Sequence, residues 1–165
     1  MLRHLAILCF LGVAASSFAA DNPQLRVEPS HVQGPRPLDK QTENAAIRDY
    51  LQAWKSLTDS FANNNTELLE SSFVGDARDK LAATILDQNK LGIRTRYQDR
   101  SHDLQIIFYS PEGLSIQLVD KVKYDVQIVD QDKIKTVQTV SARYVAVLTP
   151  SEVRWRVRIL QGQSE

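Results

Sequence analysis

Apolar positions recur along this chain with two different periods, and the change falls near residue 100. From Thr42 onward, Ala46, Ile47, Tyr50, Leu51, Trp54, Leu57 and Phe61 return at three- and four-residue spacing. That spacing predicts one long helix with a single apolar stripe, N-capped by Thr42 and ended by Asn63, Asn64 and Asn65. Glu67 to Phe73 predicts a short second helix. Asp76 is the expected cap of a third, with Leu81, Ala82, Ile85 and Leu86 on its buried face and Gly92 as a left-handed stop. Strict alternation then takes over. Leu104, Ile106 and Phe108 mark a first strand, and Leu114, Ile116, Leu118, Val122, Tyr124, Val126 and Ile128 a long second one. Val140, Ala142, Tyr144, Ala146 and Leu148 mark a third, and Val153, Trp155, Val157 and Ile159 a fourth. The connections at 110–113, 130–133 and 149–152 are short and rich in turn residues. The fold class expected is α+β, with N-terminal helices packed on the apolar face of a curved four-stranded antiparallel meander.

The N-terminus follows neither period. Arg3 and His4 precede an unbroken apolar run, Leu5 to Val13, and small residues follow it. This is the layout of a secretory signal, with cleavage after Ala19 because Ser17 and Ala19 then occupy the positions that require small side chains. The run is too short for the roughly 20 apolar residues that cross a bilayer. The expectation is therefore export to a periplasmic or extracellular space, with no stable membrane insertion. Residues 20–41 hold four of the six prolines and no apolar period, which predicts a flexible, extended tether. A single domain over 42–161 and a tail at 162–165 complete the plan.

Composition narrows the chemistry. Cys9 is the only cysteine and leaves with the signal, which excludes disulfides, thiolate catalysis and cysteine-ligated metals from the mature chain. His31 and His102 are then the only histidines, too far apart in sequence for a histidine-rich site, so no metal or cofactor is expected. Losing Arg3 leaves 19 basic residues against 20 acidic ones, without the basic stripe that nucleic acid requires. Neither a G-x-S-x-G elbow, an H-E-x-x-H helix nor a phosphate-cradling glycine loop is present.

Helices first, then a meander of long strands, resembles the ketosteroid-isomerase and nuclear-transport-factor-like superfamily of cystatin-like α+β cones. The resemblance covers most of residues 42–161. It implies a sheet curved around a long helix, with a pocket at the open end. Such cones include isomerases, cyclases and dehydratases, and also domains that only bind or dimerise, so the resemblance carries the fold and leaves the function open.

Asp120 is the leading candidate for chemistry. It is in phase with Leu118 and Val122, which aims its carboxylate at the helix-covered face, where desolvation would raise its pKa toward a general-base range. Tyr124 lies on the same face and Tyr144 on the next strand, hydroxyls suited to stabilising an enolate. A competing register exists. A two-residue turn between the second and third long strands pairs Asp120 with Arg143 on the solvent side, which conflicts with the last hairpin and calls for a bulge or an odd-length loop. Arg94 and Arg96, with Arg100, belong to a basic segment ending at His102 that reads as a loop able to grip an anionic ligand. Arg154, Arg156 and Arg158 read as a positive ladder on the outer face of the last strand. Ile107, Tyr109, Val119, Val145 and Val147 fall on that outer face and point to a homodimer through the sheet. These readings favour an exported, non-catalytic binding domain for a small apolar ligand or a protein partner. The alternatives are a small isomerase or dehydratase using Asp120 as base, and an accessory subunit of a cell-envelope assembly.

Overall fold

The structure is a computed structural model that describes residues 22–30, 32, 34 and 36–164; the expected signal segment lies outside the described residues. In chain order the elements are β1 (Gln24–Val27), α1 (Lys40–Asn63), a 3₁₀ turn (Thr66–Leu69), α2 (Gly75–Lys90), β2 (Ile93–Tyr109), β3 (Ile116–Asp130), β4 (Lys133–Pro150) and β5 (Trp155–Ser164). They form one sheet in the order β1-β2-β3-β4-β5, parallel between β1 and β2 and antiparallel elsewhere. The α+β class holds, with five strands rather than four.

The extra strand comes from the proline-rich segment. Pro23 and Pro29 bracket a stretch that contains no proline, so Gln24–Val27 keeps every N–H and pairs with Ser101–Leu104. The expectation of a free tether is corrected over these residues. Further on, the Arg36 guanidinium sits 5.2 Å over the Tyr109 ring and donates to the Pro111 carbonyl at 3.3 Å.

Helix α1 keeps its predicted stripe, α2 keeps only part of its own, and both shift their caps. Asp39, not Thr42, opens α1: its Oδ1 accepts from the Thr42 N–H at 2.9 Å and its Oδ2 from the Thr42 hydroxyl at 2.7 Å. Asn64 closes it in the left-handed region at φ 51°. The short second helix contracts to the 3₁₀ turn. Helix α2 has no side-chain cap; it starts at Gly75 with φ +55°, and Asp76 contributes only its charge to the first turn. Leu86 is 51% exposed, because the buried line of α2 runs through Ala77 and Ile85 to Gln88. Tyr50, Ala53, Leu57 and Phe61 of α1 pack on Leu104, Ile106, Leu118, Ala146, Leu148 and Val157 of the sheet.

Bulges decide which side chains share that inner face. The β3–β4 turn is the tight two-residue kind, with Gln131 and Asp132 both at positive φ and Asp130 opposite Lys133. Lys135 is then left over, so the register shifts by one and sets Asp120 opposite Tyr144, while Lys121 faces Arg143. The bulge reconciles the two hairpins and turns Asp120 inward. A second bulge at Ile107 reverses another expectation: Tyr109 is 4% exposed and Phe108 38%. A third skips Arg158 in β5, and Arg156 donates to the Phe73 carbonyl at 3.0 Å, so the expected ladder of arginines is broken.

Leu118 is fully buried between α1 and the sheet. Leu118→Ala is expected to lower unfolding free energy by about 2–5 kcal/mol, read as a lower urea midpoint with an unchanged slope.

Candidate active site

A bulge at Arg100 builds the site. Before it, Thr95, Tyr97 and Asp99 face the helices; after it, His102, Leu104 and Ile106 do, so Asp99 and His102 end on one face despite their odd spacing. Arg100 itself turns outward, where its guanidinium meets Asp125 Oδ2 at 2.5 Å and Thr139 donates to Asp125 Oδ1 at 2.7 Å. These hydrogen bonds hold the Asp125 carboxyl below the usual carboxylate range and pin the bulge from outside.

On the inner side, His102 Nδ1 lies 2.7 Å from Asp120 Oδ2, and the Tyr50 hydroxyl donates to the same oxygen at 3.0 Å. His102 Nε2 lies 3.8 Å from Asp99 Oδ2, whose other oxygen accepts from Trp54 Nε1–H at 2.8 Å. Tyr50 and Trp54 are one turn apart on α1, so a single helical face supplies both donors. The Trp54 ring stands edge-on to His102 at 5.3 Å. Asp120 is fully buried and His102 is 3% exposed. Asp120 Oδ1 has no hydrogen-bond partner among the described residues, so its charge is answered entirely at Oδ2.

The electrostatics follow from this packing. Burial alone pulls the His102 imidazole down, but hydrogen bonds to Asp120 and Asp99, and their charges, outweigh it and hold the pKa at about 9. At neutral pH the ring is an imidazolium between two carboxylates. Burial, followed by the charge of Asp120, raises the Tyr50 hydroxyl well above its usual value, so it stays a donor.

Beside this cluster lies a cavity of about 510 Å³ whose walls include Leu25, Leu51, Trp54, Lys55, Asp99 and His102. Asp120 sits behind His102 and does not line it. Tyr124 and Tyr144 hydrogen-bond each other at 3.0 Å and pack on Trp54, so they do not meet Asp120 directly. The basic segment is strand, not loop. Arg94 pairs with Asp132 at the β3–β4 turn and Arg96 is exposed, and neither lines the cavity. Sequence reasoning missed Tyr50, Trp54, Asp99 and His102 as members of one cluster. The one available signal, an aspartate and a histidine three apart, contradicts alternation unless a bulge is assumed. No cluster of three or more metal-binding side chains occurs among the described residues.

No family model matches the chain, and no curated protein matches its sequence. Solved structures do. The intermembrane-space region of the chloroplast protein ARC6 superposes with a TM-score of 0.64 at 12% identity, over 79% of this chain and 100% of that one. A protein of Novosphingobium aromaticivorans described as a scytalone dehydratase gives 0.57 at 14%, over 77% and 89%. A Streptomyces avermitilis protein of the NTF2-like family, described as a dehydratase, gives 0.51 at 6%, over 74% and 97%. The fold is nuclear-transport-factor-like. In this nuclear-transport-factor-like cone Trp54 of α1 packs on Tyr97, Tyr124 and Tyr144 of the sheet, and the cavity opens beside them, between α1 and β1. No described helix is long and apolar enough to cross a membrane.

Protonation of His102 is linked to stability. Its folded pKa, about 9, exceeds the ordinary histidine value of 6.5, so the stabilisation is complete below about 6.5 and is lost as pH rises through 9. Urea midpoints are expected to fall across that window in the native chain and to stay flat in His102→Gln. Tyr50→Phe, which removes one of two partners from Asp120 Oδ2, should cost about 1–3 kcal/mol and preserve the pH dependence.

Proposed function

We propose that the protein is a small acid–base enzyme of the dehydratase or isomerase kind, acting on a compound with a carbonyl group. The observation that carries this reading is the pair on the cavity wall: the His102 imidazolium and the Asp99 carboxylate, 3.8 Å apart and facing the same space. One group can give a proton while the other takes one. Asp99 removes a proton from the carbon next to the carbonyl. His102 Nε2–H protonates the departing hydroxyl, or the enolate oxygen in an isomerisation. In the dehydration the C–H electron pair becomes the new double bond, the C–O pair leaves with oxygen, and water is released. After dehydration the proton on Asp99 returns to the adjacent His102; in an isomerisation Asp99 delivers it to the new carbon and the enol O–H gives its proton back to His102, so the resting pair is restored in both cases.

Asp120 and Tyr50 are positioning residues in this scheme. They fix the imidazole through Nδ1, so the reactive role passes from Asp120, the base expected from the sequence, to His102 in front of it. The likeness in fold to proteins described as dehydratases is consistent with the reading. A second reading, a binding domain without chemistry, is favoured by the aromatic packing of Trp54, Tyr97, Tyr124 and Tyr144 inside the cone. In either case we place the protein outside the cytoplasm, on the strength of residues 1–19. We keep a homodimer through the outer sheet face, where Ile107, Val145 and Val147 are half-buried, as part of the proposal.

The test does not depend on the identity of the substrate. 3-Hydroxyacyl compounds and ketones are incubated with the protein in deuterated water, and deuterium uptake at the carbon beside the carbonyl is followed by mass spectrometry. His102→Gln and Asp99→Asn should each lower the exchange rate by about 10²–10⁴-fold, with Tyr50→Phe losing less. The rate should fall as pH rises past about 9, where His102 loses its proton. No exchange above background with any compound would leave the binding reading in its place.

A further inference from the structure

A second hollow adjoins the His102 cavity. It measures about 520 Å³, within the range of small-molecule sites, and shares Leu25, Leu51 and Lys55 with its neighbour. Together the two make one trough between α1 and the edge strand β1. Its apolar surface is Leu25 and Val27 of β1 and Ile47 and Leu51 of α1. Leu25 stands opposite His102 and Val27 opposite Leu104 in a parallel pairing, so both side chains lie on the inner face of the sheet, yet they remain 50% and 42% exposed. The charges are one-sided: Lys40, Arg48 and Lys55 line the hollow, and no acidic side chain among the described residues does. Their present partners Glu43, Asp49 and Asp59 are neighbours on α1, and the three cations keep 74%, 68% and 65% of their side-chain surface in water. Glu43 and Asp49 are themselves buried and only Asp59 is exposed, so an incoming anion adds to the open faces of Lys40 and Arg48 without displacing their partners.

We infer that this trough binds an amphiphile, an unbranched apolar chain ending in a carboxylate. The chain lies on Leu25, Val27, Ile47 and Leu51, and the carboxylate is held at the far end by Lys40 and Arg48. Where the other end of such a chain carries a carbonyl, that group reaches His102 and Asp99, which names a substrate class for the proposed reaction: an oxo or hydroxyacyl chain with a carboxylate at its far end. That last step rests on the acid–base reading; the binding does not. An apolar surface alone would accept any hydrophobic chain, and the cationic rim is what selects the anionic one.

Trp54 lines the adjoining cavity and Trp155 does not, so the change in tryptophan fluorescence is followed in the native chain and in Trp155→Phe, where Trp54 alone reports occupancy. Dodecanoate, dodecanol and dodecyltrimethylammonium are titrated into the purified protein at concentrations below micelle formation. Dodecanoate is expected to bind most tightly and the ammonium most weakly. Lys40→Gln with Arg48→Gln should weaken dodecanoate by about 10-fold or more and leave dodecanol unchanged. Leu25→Asn should weaken both. Dodecanoate binding is read by fluorescence and deuterium exchange by mass spectrometry on the same unaltered protein, so a failed reaction and a failed binding site give different results. Equal binding of the anion and the cation, no saturable binding, or indifference of dodecanoate to the loss of Lys40 and Arg48 would each overturn the inference. So would tighter binding by an acidic peptide than by dodecanoate.

Discussion

One oxygen atom organises this molecule. Asp120 Oδ2, fully buried, takes the Tyr50 hydroxyl from α1 and Nδ1 of His102 from β2. A carboxylate in such a place is tolerated only when it is paired, since leaving it alone costs several kcal/mol or forces a proton onto it. Helix and strands must therefore arrive together. The α1 face that carries Tyr50 must lie over β3, and β2 must turn His102 inward beside it. The neighbouring bond from Trp54 to Asp99 repeats the constraint one helical turn along. Apolar packing brings α1 onto the sheet, and the two acids set its rotation.

The bulges make that arrangement possible. Side chains in a strand alternate, so a one-residue slip moves every later side chain to the other face. Arg100 is skipped in β2, which brings Asp99 and His102 to one side; Lys135 is skipped in β4, which turns Asp120 away from Arg143 and opposite Tyr144. Both devices act at a distance from the residues whose chemistry they decide. The Arg100–Asp125 pair holds its bulge in place on the outer face while the functional side chains point inward.

How much of this is legible in the sequence follows from the same physics. The stripe from Ala46 to Phe61, the long strands and the inward phase of Asp120 are local and periodic, and the sequence displays them. The need for a bulge near the β3–β4 turn is legible too, because two hairpin registers contradict each other. The Asp99–His102 pair is not, since its spacing violates the alternation by which the strand is recognised. Phe108 and Tyr109 exchange faces for the same reason at Ile107. Strand β1 is hidden because four residues between prolines show no period, and its parallel partner lies more than 70 residues away. Arg94 and Arg96 look available to a ligand only if their segment is a loop.

The cluster's imbalance is also what suits it to chemistry. A buried ion pair built for stability would satisfy both carboxylate oxygens; here Oδ1 of Asp120 has no partner among the described residues, and the compensation falls on one imidazolium. That imidazolium has its second nitrogen toward Asp99 on the cavity wall, so the ring that neutralises the core is also the one a ligand meets. An apolar ligand seated there displaces water and strengthens every charge interaction around it. The His102 proton is then held by two carboxylates and drawn by whatever oxygen the ligand presents. Only an acceptor that gains negative charge during reaction can compete with them, a condition that an enolate or a departing hydroxide meets and a resting carbonyl does not. The same buried carboxylate that fixes the rotation of α1 thus sets the threshold at which the site gives up its proton.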